Sequence, residues 1–250
     1  MSGTVYLVGA GPGAADLLTL RAARLLGEAD IVFHDALVPP EILALAPRAE
    51  KLAVGKRSGR RSTAQRFINK RLADAARKYR VVVRLKGGDP LLFGRAQEEI
   101  DFLRAQGIAV EVVPGVTAAL AAGADLGVSL TQRGLARSVA FVTPRAGANE
   151  APSTWLQAAL AADTVVIYMG AGEAAAIAHA LITAGKRPAT PVAVIENASI
   201  EARIAPGTLA ELPALAAQLS GGPALIVLGE VLRNAASATQ RATPRTRLAR

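Results

Sequence analysis

The chain contains no cysteine among its 250 residues. That excludes disulfides, thiolate nucleophiles, iron–sulfur clusters and cysteine zinc sites together. Histidine is almost as scarce, with only His34 and His179, so no metal centre is expected. Aromatic residues make up 4% of the sequence, few for a nucleic-acid stacking platform. No apolar run approaches the roughly 18 residues of a membrane-spanning helix. The start, Met1 to Val8, has neither the basic segment nor the long apolar segment of a secretory signal. The expectation is a cytoplasmic protein with no membrane partner. What remains, 51% hydrophobic and 20% charged, describes a globular chain of one large or two modest domains.

The formal charge of +9 is unevenly spread. After Glu230 the tail carries Arg233, Arg241, Arg245, Arg247 and Arg250 and no acid; residues 233–250 are expected to be a disordered basic tail. Residues 48–104 hold 16 Lys/Arg against 6 Asp/Glu. This segment reads either as solvated helix faces or as a surface for an anionic partner. A small anionic molecule suits it better than nucleic acid, because Phe67, Tyr79, Phe93 and Phe102 are its few aromatics and no reading motif is present.

Apolar runs of strand length alternate with helical patterns, as in a parallel α/β sheet. Strands are expected at 5–8, 31–34, 51–54, 81–85 and 110–113, with helices at 16–26, 40–45, 63–77, 97–105 and 117–126. Residues 131–137 read as a linker. Beyond it, strands are expected at 139–143, 164–169, 192–196, 202–204 and 224–228, with helices at 153–160 and 173–184; the strand at 202–204 is placed in a hairpin with its neighbour. The expected organisation is α/β, with two α/β domains at 1–130 and 138–232.

The richest stretch is Val83 to Arg95, with Lys86-Gly87-Gly88-Asp89-Pro90 at its centre. Val81 to Leu85 reads as a central strand, and Gly87 and Gly88 remove side chains where a ligand would approach. Glycine, aspartate and proline are also ordinary turn residues, so a plain strand-to-helix turn is the alternative. Gly9-Ala10-Gly11-Pro12-Gly13-Ala14 nearly meets the dinucleotide-binding fingerprint, with Asp35 placed to hold a ribose. Pro12 counts against that reading, because it deletes a backbone donor from the cradle. Together with His34-Asp35, Gly55-Lys56-Arg57 and Pro114-Gly115-Val116-Thr117, these loops follow successive strands, at the edge where open α/β sheets bind ligands.

In that order the loops resemble the tetrapyrrole methylase superfamily, and within it the uroporphyrinogen-III C-methyltransferase branch. The likeness runs over roughly residues 3–232. It is carried by Val5 to Gly13 with Leu17 to Leu20, by Asp35 to Val38, Val54 to Arg57, Arg84 to Arg95, and Val112 to Ala118, and by Leu130 to Gly134, Tyr168 to Gly170 and Pro191 to Asn197. It implies two α/β domains of the tetrapyrrole methylase type with the active cleft between them. It also implies S-adenosylmethionine as methyl donor, S-adenosylhomocysteine as product, and a tetrapyrrole bearing eight carboxylates as substrate. A homodimer is implied as well. By the same resemblance Pro12, Gly87, Gly88, Asp89, Leu92, Thr117, Ala118, Met169, Ala198 and Ala224 line the donor site. Asp89 would place a carboxylate near the cationic sulfonium. Met169 is otherwise a plain strand-end residue, and Ala198 and Ala224 contribute backbone and shape.

The implied chemistry is in-line methyl transfer to nucleophilic pyrrole carbons at C2 and C7, then proton loss, giving precorrin-2 via precorrin-1. Asp35 is the implied base and Lys56 the implied acid, with binding of substrate carboxylates as the alternative for either. Arg95, Glu98 and Arg133 are implied substrate contacts, since guanidinium forks match carboxylates. A helix-surface ion pair between Arg95 and Glu98 is the alternative. The chain departs from the family pattern at Ala14-Ala15, His34, Arg60-Arg61, Gln132 and Pro144-Arg145, and Arg60 and Arg61 are expected to strengthen carboxylate binding.

Overall fold

The computed structural model describes residues 2–54, 65–146 and 153–233. Contacts divide the chain into two units, Met1–Ala118 and Ala119–Arg250. The expected boundary lay near 130. The helix at Ala118–Leu126 groups with the second unit, and the expected linker carries a small turn closed by paired Gln132 and Ala136.

In the first unit, β1 (Thr4–Gly9), β2 (Ile31–His34), β3 (Glu50–Ala53), β4 (Val81–Lys86) and β5 (Ala109–Val113) form a parallel sheet in the order β3-β2-β4-β1-β5. Four helices cross over between them: α1 (Leu20–Glu28), α2 (Pro40–Leu43), α3 (Gln65–Ala76) and α4 (Ala96–Ala105). Val5, Leu7, Phe33 and Val82 pack with Ile68, Leu72, Ile100 and Leu103 of α3 and α4. Val8, Val32, Val83 and Leu85 pack with Leu25 and Leu26 of α1 and Ile42 of α2. Burial on both faces explains the near-continuous apolar runs. It also fixes the two cations of β4. Alternation places Arg84 and Lys86 on the Val82 face, under α3 and α4, and both are buried.

The helix expected from Asp16 begins later than the sequence suggested. Ala15–Leu17 is a single 3₁₀ turn, and α1 starts after Thr19, whose hydroxyl accepts from the Ala22 amide.

The second unit contains α5 (Ala118–Leu126), β6 (Val139–Val142), α6 (Trp155–Ala161), β7 (Thr164–Tyr168), α7 (Ala174–Thr183), β8 (Pro191–Glu196), β9 (Arg203–Thr208), α8 (Leu212–Ala216) and β10 (Ala224–Gly229). Its sheet runs β6-β7-β10-β8-β9, and only the β6–β7 pair is parallel. The alternation of strands and helices suggested a parallel sheet here, and this is a correction. The β8–β9 hairpin reverses the chain, so β10 returns antiparallel to both of its neighbours, β7 and β8. The sheet packs against α7 and α8 through Val165, Ile167, Val194 and Ile226 with Ile177, Leu181, Leu212 and Leu215. β9 runs through Pro206 and Gly207, longer than the three residues expected, because an edge strand tolerates proline.

The connection into β10 is held by a buried carboxylate. Glu196 ends β8, and its oxygens accept from the amides of Ser220 (2.9 and 3.1 Å) and Gly222 (2.7 Å). Burial opposes its charge, but these amides and the Arg203 guanidinium 3.9 Å away outweigh it, leaving its pKa below the usual carboxylate range. Such a group stabilises the fold above the pKa of the unfolded chain, and the contribution is lost as pH falls through the lower folded value. Glu196→Gln should therefore destabilise the protein at pH 7 by about 1–3 kcal/mol, with the gap closing in acid. Urea unfolding at neutral and acidic pH checks this.

Candidate functional site

All five strands of the first sheet are parallel, so their following loops share one edge. The crossover from β1 leads to β2 and that from β4 leads to β5, in opposite directions. Their adjacent ends therefore form the switch point at which such sheets bind ligands. Here the two loops cross and bond. Gly11 donates to the Gly88 carbonyl (3.2 Å), Gly88 donates to that of Gly11 (2.7 Å), and Ala10 donates to that of Lys86 (2.8 Å). The β5 loop joins them. A Cβ on Gly9 would lie 2.6 Å from the Gly115 Cα and 2.7 Å from the Gly88 oxygen, and one on Gly115 would lie 2.9 Å from the Gly9 Cα. Three backbones meet where only glycine fits.

This crossing weakens the dinucleotide reading of the first loop. The amides of Ala10 and Gly11 are already donated within the sheet edge, residue 12 is proline, and α1 begins only at Leu20. A phosphate at a helix N-terminus would need those donors.

Beside the crossing, among the described residues, the packing is looser. A Cβ on Gly87 would come no nearer to another residue than 3.9 Å, from Leu37, and one on Gly88 would be 3.9 Å from Thr117. Gly88 has φ of +66°, a conformation that itself favours glycine. Asp89 fixes the arrangement: one oxygen accepts from Leu91 (2.9 Å) and the other from Gly115 (2.9 Å), tying the β4 loop to the β5 loop. Its evident work is to hold backbone, a role the sequence reading did not give it. Pro12, Leu92, Thr117 and Ala118 all stand half-buried on these same loops. Phe93 and Arg95 adopt left-handed backbone (φ 53° and 55°), a local strain that a ligand-binding loop often stores.

Asp35 follows β2 on the same edge, its side chain 30% exposed. Its Oδ1 accepts from Nη2 of Arg84 at 2.5 Å. Arg84 donates from Nε to Glu99 (3.1 Å) and from Nη1 to the Leu85 carbonyl (3.2 Å). Glu99 is fully buried on α4, and it also receives Gln65 of α3 (2.9 Å) and Lys86 at 3.4 Å from each oxygen. Burial opposes the charge of Arg84, yet Asp35 and Glu99 outweigh it and raise its pKa. Lys86 lacks that surplus: burial and the neighbouring Arg84 push its pKa down against the pull of Glu99. Sequence reasoning missed this cluster, although two cations on the buried face of a central strand require acids to meet them.

Arg95 and Glu98 form the bidentate pair given as the alternative, at 2.7 and 2.8 Å, each about half exposed. Arg133 is exposed at the tip of the Gln132–Ala136 turn. Lys56, with Arg57, Arg60 and Arg61, lies outside the described residues, as does the tail from residue 234.

The remaining expected donor contacts share one edge of the second sheet. Met169 follows β7, Ala198 follows β8 and Ala224 opens β10, where Ala224 pairs with Glu196 and Leu225 with Tyr168. Met169 (φ 56°), Asn197 (φ 56°) and Ser199 (φ 72°) are left-handed at this edge. Met169 is 44% exposed and so is not a core residue. Among the described residues, no group of His, Asp and Glu is arranged to hold a metal, and no helix is long and apolar enough to cross a membrane.

A parallel sheet with a glycine crossing at its switch point, followed by a mixed sheet with a strained loop edge, defines a two-unit α/β protein whose first unit presents the loop edge at which such sheets bind ligands. The chain belongs to the Tetrapyrrole (Corrin/Porphyrin) Methylases, whose sequence profile matches residues 4–213. It is 46% identical over 239 residues to a uroporphyrinogen-III C-methyltransferase of Pseudomonas aeruginosa, covering 95% of this chain and 97% of that one. It is 47% identical over 231 residues to the siroheme synthase of Tolumonas auensis; the match takes in 92% of this chain and only 49% of that protein. The chain thus spans about half the length of the siroheme synthases it matches. A crystal structure of uroporphyrin-III C-methyl transferase from Thermus thermophilus, complexed with S-adenosylhomocysteine, superposes with a TM-score of 0.81. The two are 44% identical, over 92% of this chain and 99% of that one.

The two neighbouring glycine positions separate tight packing from looser packing. Gly115→Ala should destabilise the first unit by about 1–3 kcal/mol through overpacking, whereas Gly87→Ala should change stability by less than about 0.5 kcal/mol. Denaturant midpoints of the two variants check this.

Proposed function

We propose that this chain is an S-adenosylmethionine-dependent C-methyltransferase acting on uroporphyrinogen III at C2 and C7. It would give precorrin-2 by way of precorrin-1, for siroheme, cobalamin or related tetrapyrrole synthesis. The observation that carries this reading is the near end-to-end match to the Pseudomonas aeruginosa uroporphyrinogen-III C-methyltransferase. The glycine edge supports it physically, because among the described residues a Cβ at Gly87 or Gly88 would meet nothing nearer than 3.9 Å, so a ligand can approach this backbone closely.

When bound, the donor supplies a methyl group already activated on a sulfonium. What the chain must add is alignment and exclusion of water. Pro12, Gly87, Gly88, Asp89, Leu92, Thr117 and Ala118 on the first unit, with Met169, Ala198 and Ala224 on the second, are the proposed donor contacts. Asp89 also fixes the β4 and β5 loops through its two amide bonds. Asp35 is the proposed base for the proton released from the methylated ring, and Lys56 the proposed acid.

Arg95, Glu98 and Arg133 are the proposed substrate contacts. An exposed ion pair such as Arg95–Glu98 is worth only about 0–1 kcal/mol, so exchanging it for a substrate carboxylate and a pyrrole N–H costs little. The excess of cations over residues 48–104 suits a substrate with eight carboxylates. S-adenosylhomocysteine is the expected second product, and a cytoplasmic homodimer the expected form.

The test is transfer of labelled methyl from S-adenosylmethionine to uroporphyrinogen III, followed by a chlorin-like absorbance. Transfer is expected from the purified protein, with a kcat reduced by about 10²-fold or more in Asp35→Asn. Donor binding without transfer would instead make the chain a binding protein, and nicotinamide cofactor binding at the first loop would contradict the reading outright.

A further inference from the structure

We propose that Arg84 is a positioning residue for the methyl-transfer reaction. In this role its buried guanidinium fork holds Oδ1 of Asp35 in a fixed place, so that Oδ2 is the oxygen offered to the substrate. The inference rests on the reading of Asp35 given above.

The geometry is that of a two-ended clamp. Arg84 is 3% exposed and spends all three nitrogens on fixed acceptors: Nε on Glu99, Nη1 on the Leu85 carbonyl and Nη2 on Asp35. Glu99 is in turn fixed from α3 by Gln65, which also donates to Asn69 (3.0 Å). Asn69 donates to the Glu98 carbonyl on α4 (3.2 Å). The charged groups facing Arg84 are therefore Asp35 from the β2 end, Glu99 from α4 and Lys86 from β4 itself, while α3 contributes only the neutral Gln65 and Asn69. Two cations and two carboxylates balance when all are ionised. Three of the four side chains are buried, and only Asp35 reaches the solvent edge.

Among the described residues Oδ2 of Asp35 has no partner. A fork anchored at both ends sets the direction of that oxygen, which a lone aspartate on a loop would lose to rotation. The pair also keeps a negative charge where positive charge develops as a pyrrole carbon gains a methyl group. The field is fixed in advance and needs no rearrangement during the step.

Lysine at position 84 keeps the charge but cannot span Glu99 and Asp35 as a planar fork does. Arg84→Lys is therefore expected to lower kcat by about 10²-fold. Calorimetric affinity for S-adenosylhomocysteine should be unchanged. In a cycle with Asp35→Asn, the double variant should be no slower than Asp35→Asn alone, since Arg84 acts through that carboxylate.

A merely structural Arg84 would give losses that multiply, together with weakened S-adenosylhomocysteine binding, and either result overturns the inference. Undiminished kcat in Asp35→Asn would overturn the role of Asp35 itself, a separate failure. Should Arg84→Lys not accumulate as folded protein, Glu99→Gln loosens the same fork from its other end, and the same cycle with Asp35→Asn decides.

Discussion

The site depends on three backbones meeting at contact distance. Gly9, Gly88 and Gly115 end or follow β1, β4 and β5, and none could carry a Cβ where it stands without strain or collision. The reciprocal bonds between Gly11 and Gly88 hold the crossing shut, and Asp89 pins the third loop to it. These loops come together because the sheet is parallel and changes winding direction between β1 and β4. The looser packing beside Gly87 is thus a product of topology before it is a product of side chains.

Under this edge lies an ionic cluster that the fold maintains at a cost. Arg84, Lys86 and Glu99 are taken out of water, and desolvation of buried charges commonly offsets their mutual attraction. Replacing buried ion clusters by apolar groups of similar volume is often neutral for stability, so the charges invite another explanation. They run in a chain from α3 through Glu99 and Arg84 to Asp35, the only member that reaches the edge. Fixing Asp35, the proposed base, is a use that an apolar core does not have.

Much of the fold was legible because buried parallel strands write themselves as valine and leucine runs. β2 was read to the residue, and β1, β4 and β5 to within one or two residues at each end. Where chemistry was local but subtle, the reading slipped: the Thr19 cap shortened α1, and an edge position let β9 run through Pro206. The mixed direction of the second sheet was hidden because strand and helix alternation says nothing about a reversal made in one hairpin.

At the site, the loops and their glycines were visible in the sequence. The partners of Arg84 were not, because Asp35 and Glu99 are 49 and 15 residues away along the chain. The available signal was the parity of β4, which puts Arg84 and Lys86 beside Val82 on a covered face. The backbone-holding role of Asp89 was hidden for a related reason. Charge near a cation is easy to imagine from sequence, whereas two backbone amides are visible only in three dimensions.

The donor contacts proposed above lie on the glycine edge of the first sheet and, separately, on the Met169 edge of the second. Amide hydrogen exchange with and without saturating S-adenosylhomocysteine tests this proposal most directly. Protection is expected at residues 87–92 and 115–118 and around Met169, Ala198 and Ala224. Unchanged exchange at those loops in the saturated protein, with protection appearing elsewhere, would contradict it.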